Sequence, residues 1–167
     1  KPVGLWFGHP SNAEFLAKFI DSHHNELIDH QLNIVSTAQT LEVLKKYPFS
    51  MAPTIAVSAF QWSVSVVAKI AKTSDYCVIP SDLNSPKKYA SNNRLVTALT
   101  LGLPTLATAL PSYIEFRDHF APIGSEAGNA LLATPTLLKQ NIQSFQALHA
   151  ARFGSSQLEK QWAHLLG

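Results

Sequence analysis

The stretch PKKYASNNRLVTALTLGLPTLAT, residues 86–108, changes character in its middle. It begins with a proline and two lysines, passes through Ser91, Asn92, Asn93 and Arg94, and then turns apolar. The apolar half has helical spacing and predicts a helix near 91–101. Gly102 and Pro104 mark its end, because glycine reaches the left-handed conformation of a helix terminus and proline cannot extend the ladder. The run PTLATAL (104–110) then reads as a strand.

The same alternation continues outward. VGLWF (3–7), LNIVST (32–37), TIAVSAF (54–60) and YCVIP (76–80) read as strands before it, and FAPIG (120–124) as a short sixth strand after it. Ser11 with Glu14, Ser36 with Gln39, and Ser112 with Glu115 have the spacing of a capping box, which predicts capped helices at those places. A further helix is expected near 62–73, and the helix after the second strand should stop before Pro48. Thr134-Pro135 reads as a helix start, and Ser156 with Glu159 as the start of a last short helix ending near Leu166. Repeated β-α units predict one α/β domain over residues 1–167. It should be a doubly wound parallel sheet of about six strands with helices on both faces.

Composition bounds the function. With 46% apolar and 14% charged residues the chain is a folded globular type, and a net charge of +2 without any basic block gives no footprint for nucleic acid. No apolar run is long enough to span a bilayer. Cys77 is the single cysteine, which suits a reducing compartment, so a cytoplasmic location is expected. The chain enters a strand pattern at once, without the features of a leader peptide, and is expected to be part of something longer. His23, His24 and His30 lack zinc-ligand spacing, and no acidic pair accompanies them; no metal or cofactor is expected.

Ligands on a doubly wound sheet bind at the carboxyl ends of the strands, so the site should be built from the turns after Phe7, Phe60, Pro80 and Leu110. The first of these is GHPSN, with Gly8, His9, Ser11 and Asn12. It is neither a three-glycine dinucleotide fingerprint nor a Walker loop. It reads either as an anion site at a helix start or as a tight turn with a cap, and His9 as a contact or a solvated turn residue. Trp62 after the third strand is either a flat face for a base or a core residue.

The fourth turn says most. From Ser81 to Tyr89 it is polar and long, with Asp82, Lys87 and Lys88. Arg94 falls in the first turn of the next helix, where a cation opposes the helix dipole unless an anion is bound. Lys88, Arg94 and the free N–H groups at Ser91 to Asn93 would then share one phosphate or diphosphate. The alternative is a solvated Arg94 paired with Asp82.

SDYCVIPSDLNSPKKYASNNRLVTALTLGLPTLATALPSYIEF (74–116) resembles the nucleotide-sugar-binding domain of GT-B glycosyltransferases, in particular the glycosyltransferase 4-like and group 1 enzymes. Ser81, Arg94, Ala98, Leu99, Gly102 and Pro104 match as they stand, and VGLWFGHPSN looks like the first strand and turn of the same C-terminal domain. The resemblance implies a donor domain for a nucleoside diphosphate sugar. Lys88 and Arg94 would stabilise the leaving diphosphate, Gly8 and Asn12 would face it, and Trp62 would flank the base. It also implies a missing N-terminal acceptor-binding domain, through which any peripheral membrane contact would come. Such a half should bind a donor without transferring its sugar efficiently. Two glutamates common in group 1 enzymes are replaced here by Tyr89 and Thr97. The rivals are a nucleotide-sugar epimerase, which needs carboxylates around the sugar, and a non-catalytic receiver-like module, which needs an acidic cluster that the first and third strand ends lack.

Overall fold

A computed structural model describes residues 1–46 and 55–135, together with 142–143, 145–147 and 150–151. Six strands form one parallel sheet: β1 (Val3–Phe7), β2 (Gln31–Ser36), β3 (Ala56–Gln61), β4 (Tyr76–Ile79), β5 (Thr105–Ala107) and β6 (Ala121–Pro122). Their order across the sheet is β3-β2-β1-β4-β5-β6. Among the described residues, helices α1 (Ala13–Ser22), α2 (Ala38–Lys45), α3 (Val64–Ala71), α4 (Asn93–Thr100) and α5 (Glu126–Ala133) cover it. The expected doubly wound parallel α/β sheet is therefore the observed one. Among the described residues no helix is long and apolar enough to cross a membrane.

The central strands read as continuous apolar runs because both of their faces are covered. Side chains alternate between faces along a strand. Leu5, Phe7, Cys77 and Ile79 pack with Val67 and Ile70 of α3 and with Leu95, Ala98 and Leu99 of α4. Trp6, Ile34, Tyr76 and Val78 pack on the other side with Leu16 and Ile20 of α1 and with Leu131 and Leu132 of α5. Helix α4 ends as the sequence predicts. Gly102 has φ 79°, its N–H reaches the Leu99 carbonyl at 3.0 Å, and the Leu103 N–H reaches the Ala98 carbonyl at 3.1 Å. This pair of bonds is a Schellman motif, and it needs the left-handed residue that glycine supplies.

The three predicted capping boxes do not form. Pro10–Asn12 is a single 3-10 turn capped by His9, and Glu14 pairs instead with Lys18 one turn on. Ser36 is the last residue of β2, and its hydroxyl bonds Gly8 O and Thr40 Oγ1, while Thr37 takes the cap position. Pro111–Phe116 is a 3-10 helix in which Ser112 donates to Ala90 O at 2.7 Å. In each case a long-range or turn contact competes successfully for the serine hydroxyl. Helix α2 ends at Lys45, and Pro48 lies outside the described residues. Pro135 is the last residue described before residue 142, so most of the helix expected from Thr134-Pro135 and all of the one expected from Ser156 lie outside the described residues.

Helix α5 is an addition. Ser125 caps it, accepting the Gly128 N–H at 3.1 Å. Gly128 disguises this helix in the sequence, since glycine disfavours helix interiors. A Cβ there would sit 2.5 Å from Pro122 O and 2.9 Å from Leu106 Cδ1, so close approach to β6 and β5 requires it. Gly128→Ala should therefore destabilise the fold by about 1–3 kcal/mol, although the same change in an open helix gains about 1 kcal/mol. Chemical denaturation measures the sign, and a gain would refute the contact.

At the amino end of the strands, just before β2, His30 is 6% exposed and its Nδ1 lies 2.8 Å from the Tyr76 hydroxyl at the start of β4. Burial lowers the His30 pKa, with Asp75 and Asp29 acting against it. The folded state therefore binds this proton less readily than the unfolded chain. The stability contributed is present above the ordinary histidine value of about 6.5 and is lost as pH falls through that value toward the lower folded one. His30→Gln should flatten the decline of unfolding free energy between about pH 7.5 and pH 5. An unchanged pH slope would contradict the assignment.

Candidate functional site

The strand order reverses between β1 and β4. Connections leave these neighbours toward opposite faces, so the turns at their carboxyl ends part and leave a crevice. The β1 turn is built tightly. Ser36 Oγ donates to Gly8 O at 2.5 Å. Pro10 opens the 3-10 turn, and His9 Nδ1 accepts the Ser11 N–H at 3.2 Å. The β3 turn is tied to β2 by the Trp62 N–H on Ser36 O at 2.9 Å, which leaves the Trp62 ring half exposed.

The loop after β4 is pinned at its base by Ser81 N–H on Thr108 Oγ1 at 2.9 Å. Asp82 Oδ1 accepts the Asn84 N–H at 2.8 Å, and Ser85 Oγ accepts the Lys87 N–H at 3.1 Å. Pro86–Tyr89 then forms a 3-10 turn. Its two lysines diverge: Lys87 Nζ crosses to Ser11 Oγ at 3.0 Å, while Lys88 Nζ lies 5.0 Å above the Tyr89 ring. Helix α4 starts at Asn92 without a side-chain cap bond and has no acidic residue in its first turn.

These elements enclose a cavity of about 490 Å³. Of the residues expected at a site, Gly8, His9, Asn12, Trp62, Asn93 and Arg94 line it. Phe7, Pro10, Thr37 and Thr97 complete the wall, and none of these ten is acidic. Thr37 was not anticipated; the signal was its place at the carboxyl end of β2, the strand beside β1. Of the two positions where the resemblance to group 1 enzymes implies a glutamate, Thr97 is on the wall, whereas Tyr89 is 77% exposed and outside it.

The other expected residues lie elsewhere. Ser11 stands behind His9, and Asn92 Nδ2 reaches Glu115 Oε1 at 3.5 Å. Lys87, Lys88 and Ser91 are not on the wall. Ser81 and Asp82 line a separate cleft of about 430 Å³ with Phe15 and Lys18 of α1. The turn after Leu110 also stands apart, lining a third hollow with Leu83 and Ile114.

Arg94 is the electrostatic centre. A Cβ on Gly8 would lie 3.2 Å from its Nη1, so the guanidinium rests against the backbone of the first turn. Nη1 is buried and has no hydrogen-bond partner among the described residues. None of the ion pairs there joins Arg94 to Asp82. Burial lowers the Arg94 pKa, with Tyr113 and Cys77 opposing the shift. A guanidinium keeps its charge even so. It is thus a partly desolvated cation with an unused donor, beside an uncapped helix start, and an oxyanion satisfies both.

If that donor has no structural partner, its removal relieves the ligand-free fold. Arg94→Met should leave the unfolding free energy unchanged or raise it by about 1 kcal/mol. A loss above about 2 kcal/mol in thermal or urea unfolding would show that the guanidinium holds the fold together.

No protein-family model and no curated protein matches this chain. Its fold does match solved structures. AviGT4, a glycosyltransferase involved in avilamycin A biosynthesis, aligns at TM-score 0.64 and 10% identity over 98% of this chain and 50% of its own. A mutant of S. aureus TarM in complex with fondaparinux, alpha-GlcNAc-glycerol and UDP aligns at 0.63 and 7% identity over 99% of this chain and 35% of its own. An E. coli structure described as trehalose-6-phosphate bound with UDP-2-fluoro glucose aligns at 0.58 and 10% identity over 98% and 44%. This chain shares its fold with a part of each of these structures, in keeping with the GT-B fold that the resemblance of residues 74–116 implies. The chain spans half or less of the length of these three proteins.

Proposed function

We propose that this chain is the donor-binding half of a glycosyltransferase and that the cavity beside Arg94 takes the nucleoside diphosphate of a nucleotide sugar. The observation that carries this is Arg94 at the start of α4, on the wall of the carboxyl-edge cavity, with a buried Nη1 that has no hydrogen-bond partner among the described residues. Arg94 and the first N–H groups of α4 hold the diphosphate, Gly8 and Asn12 face it, and Trp62 covers the base. In transfer the glycosidic C–O bond breaks and its electron pair passes to the diphosphate oxygen. Charge grows there, and a donor already placed stabilises it without reorganisation. The reading requires no metal, because Arg94 supplies the positive charge. An epimerase is disfavoured by the carboxylate-free wall.

Transfer also requires an acceptor oxygen held near the sugar carbon. We assign that task to a further domain, in keeping with the share of the solved glycosyltransferases that this chain spans. The single Cys77, buried and free, fits the cytoplasmic location included in the proposal.

Calorimetry with UDP, other nucleoside diphosphates and the bare nucleosides tests the reading. Arg94→Ala should weaken diphosphate binding by about 1.5–3 kcal/mol and leave nucleoside binding nearly unchanged. Trp62→Ala should weaken both alike, by about 1–3 kcal/mol. Failure of every nucleoside diphosphate to bind, or an equal effect of Arg94→Ala on nucleoside and diphosphate, would sink it.

A further inference from the structure

The first turn contains a hydrogen-bond chain whose direction is forced by its members. Lys87 Nζ lies 3.0 Å from Ser11 Oγ, and Ser11 Oγ lies 3.0 Å from His9 Nδ1. An ammonium has donors and no acceptor, so Lys87 donates to Ser11. Ser11 Oγ keeps its own proton and one further lone pair for the contact with His9, so the state of Nδ1 decides the direction there. The Ser11 backbone N–H donates to the same nitrogen at 3.2 Å. A ring nitrogen that accepts carries no proton, so the proton of the neutral imidazole sits on Nε2.

His9 lines the cavity that holds Arg94, and its Nδ1 is engaged on Ser11. Nε2 is the nitrogen left to a ligand. We infer that Lys87, from the far side of the crevice, acts through Ser11 to hold His9 as an Nε2–H donor, and that this donor contacts the phosphate-type oxyanion bound by Arg94. The identity of that oxyanion as a nucleoside diphosphate rests on the function proposed above. Lys87 is a positioning residue, one side chain removed from the ligand. Its neighbour Lys88 faces the Tyr89 ring instead, so the two lysines are not interchangeable. A neutral donor beside a guanidinium adds direction without a second charge. With its proton on Nε2, His9 is not the base for an acceptor hydroxyl.

Nitrogen-resolved NMR of the purified, isotope-labelled chain reads the ring directly. Without ligand, His9 should show a protonated Nε2 and a bare Nδ1; a proton on Nδ1 overturns the inference. Affinities for UDP and for inorganic pyrophosphate are then measured for His9→Ala, Lys87→Met, Lys87→Arg and the double variant His9→Ala/Lys87→Met. His9→Ala should weaken both ligands about tenfold. Lys87→Met should weaken them about three- to fivefold, Lys87→Arg should restore most of that, and the double variant should bind no worse than His9→Ala alone. Additive losses would mean that Lys87 touches the ligand itself and would overturn the relay. UDP binding undiminished by His9→Ala overturns this inference and leaves the proposed function standing. Pyrophosphate binding that depends on His9, in a chain that ignores UDP, refutes the nucleotide and leaves the relay standing.

Discussion

Strand β1 lies between β2 and β4, with both of its faces covered by helices. The molecule hangs on that placement. Because β1 is central, the chain must build outward from it in two directions, and the right-handed crossovers then send α1 and α4 to opposite faces. The parting of their entry turns is what makes a crevice. The same constraint sets the residue at the end of β1. Gly8 must admit Arg94 from the α4 side and the Trp6 ring from its own strand, both of which would crowd a Cβ.

Arg94 shows how such a site is held ready. Its helix is anchored by Leu95, Ala98 and Leu99 in the core and closed by the motif at Gly102. The guanidinium is therefore carried to the cavity by rigid structure and not by a loop. Leaving its Nη1 without a partner among the described residues costs stability in the free chain, and under the proposed function a bound anion relieves that cost. The core provides for this elsewhere, by two apolar layers that fill both faces of the sheet.

The loop after β4 plays a different part. Its internal bonds, from Asp82 to Asn84 and from Ser85 to Lys87, shape it without help from either core. It then makes one bond across the crevice, to Ser11. The two halves of the sheet edge are thus coupled through small polar groups at the rim. Trp62, Val64 and Tyr89 are among the large apolar residues left exposed.

The strands, their parallel arrangement and helix α4 were legible in the chain, because continuous apolar runs and the Gly102–Pro104 stop are local patterns with one reading each. The place of Arg94 in the first turn of α4 was legible for the same reason. The serine caps were misread because a hydroxyl at capping spacing is free to choose, and Ser36 and Ser112 bond Gly8 and Ala90, which are remote in sequence. Helix α5 was hidden because Gly128 answers to Pro122 and not to its own helix. The sequence pointed to Lys88 and not Lys87, but only the path of the loop turns Lys87 to Ser11 and Lys88 to Tyr89. Periodicity and punctuation, which act over a few residues, determined the elements. Which side chains share a cavity was decided by the packing of the turns, because those distances are set by chain segments far apart in sequence.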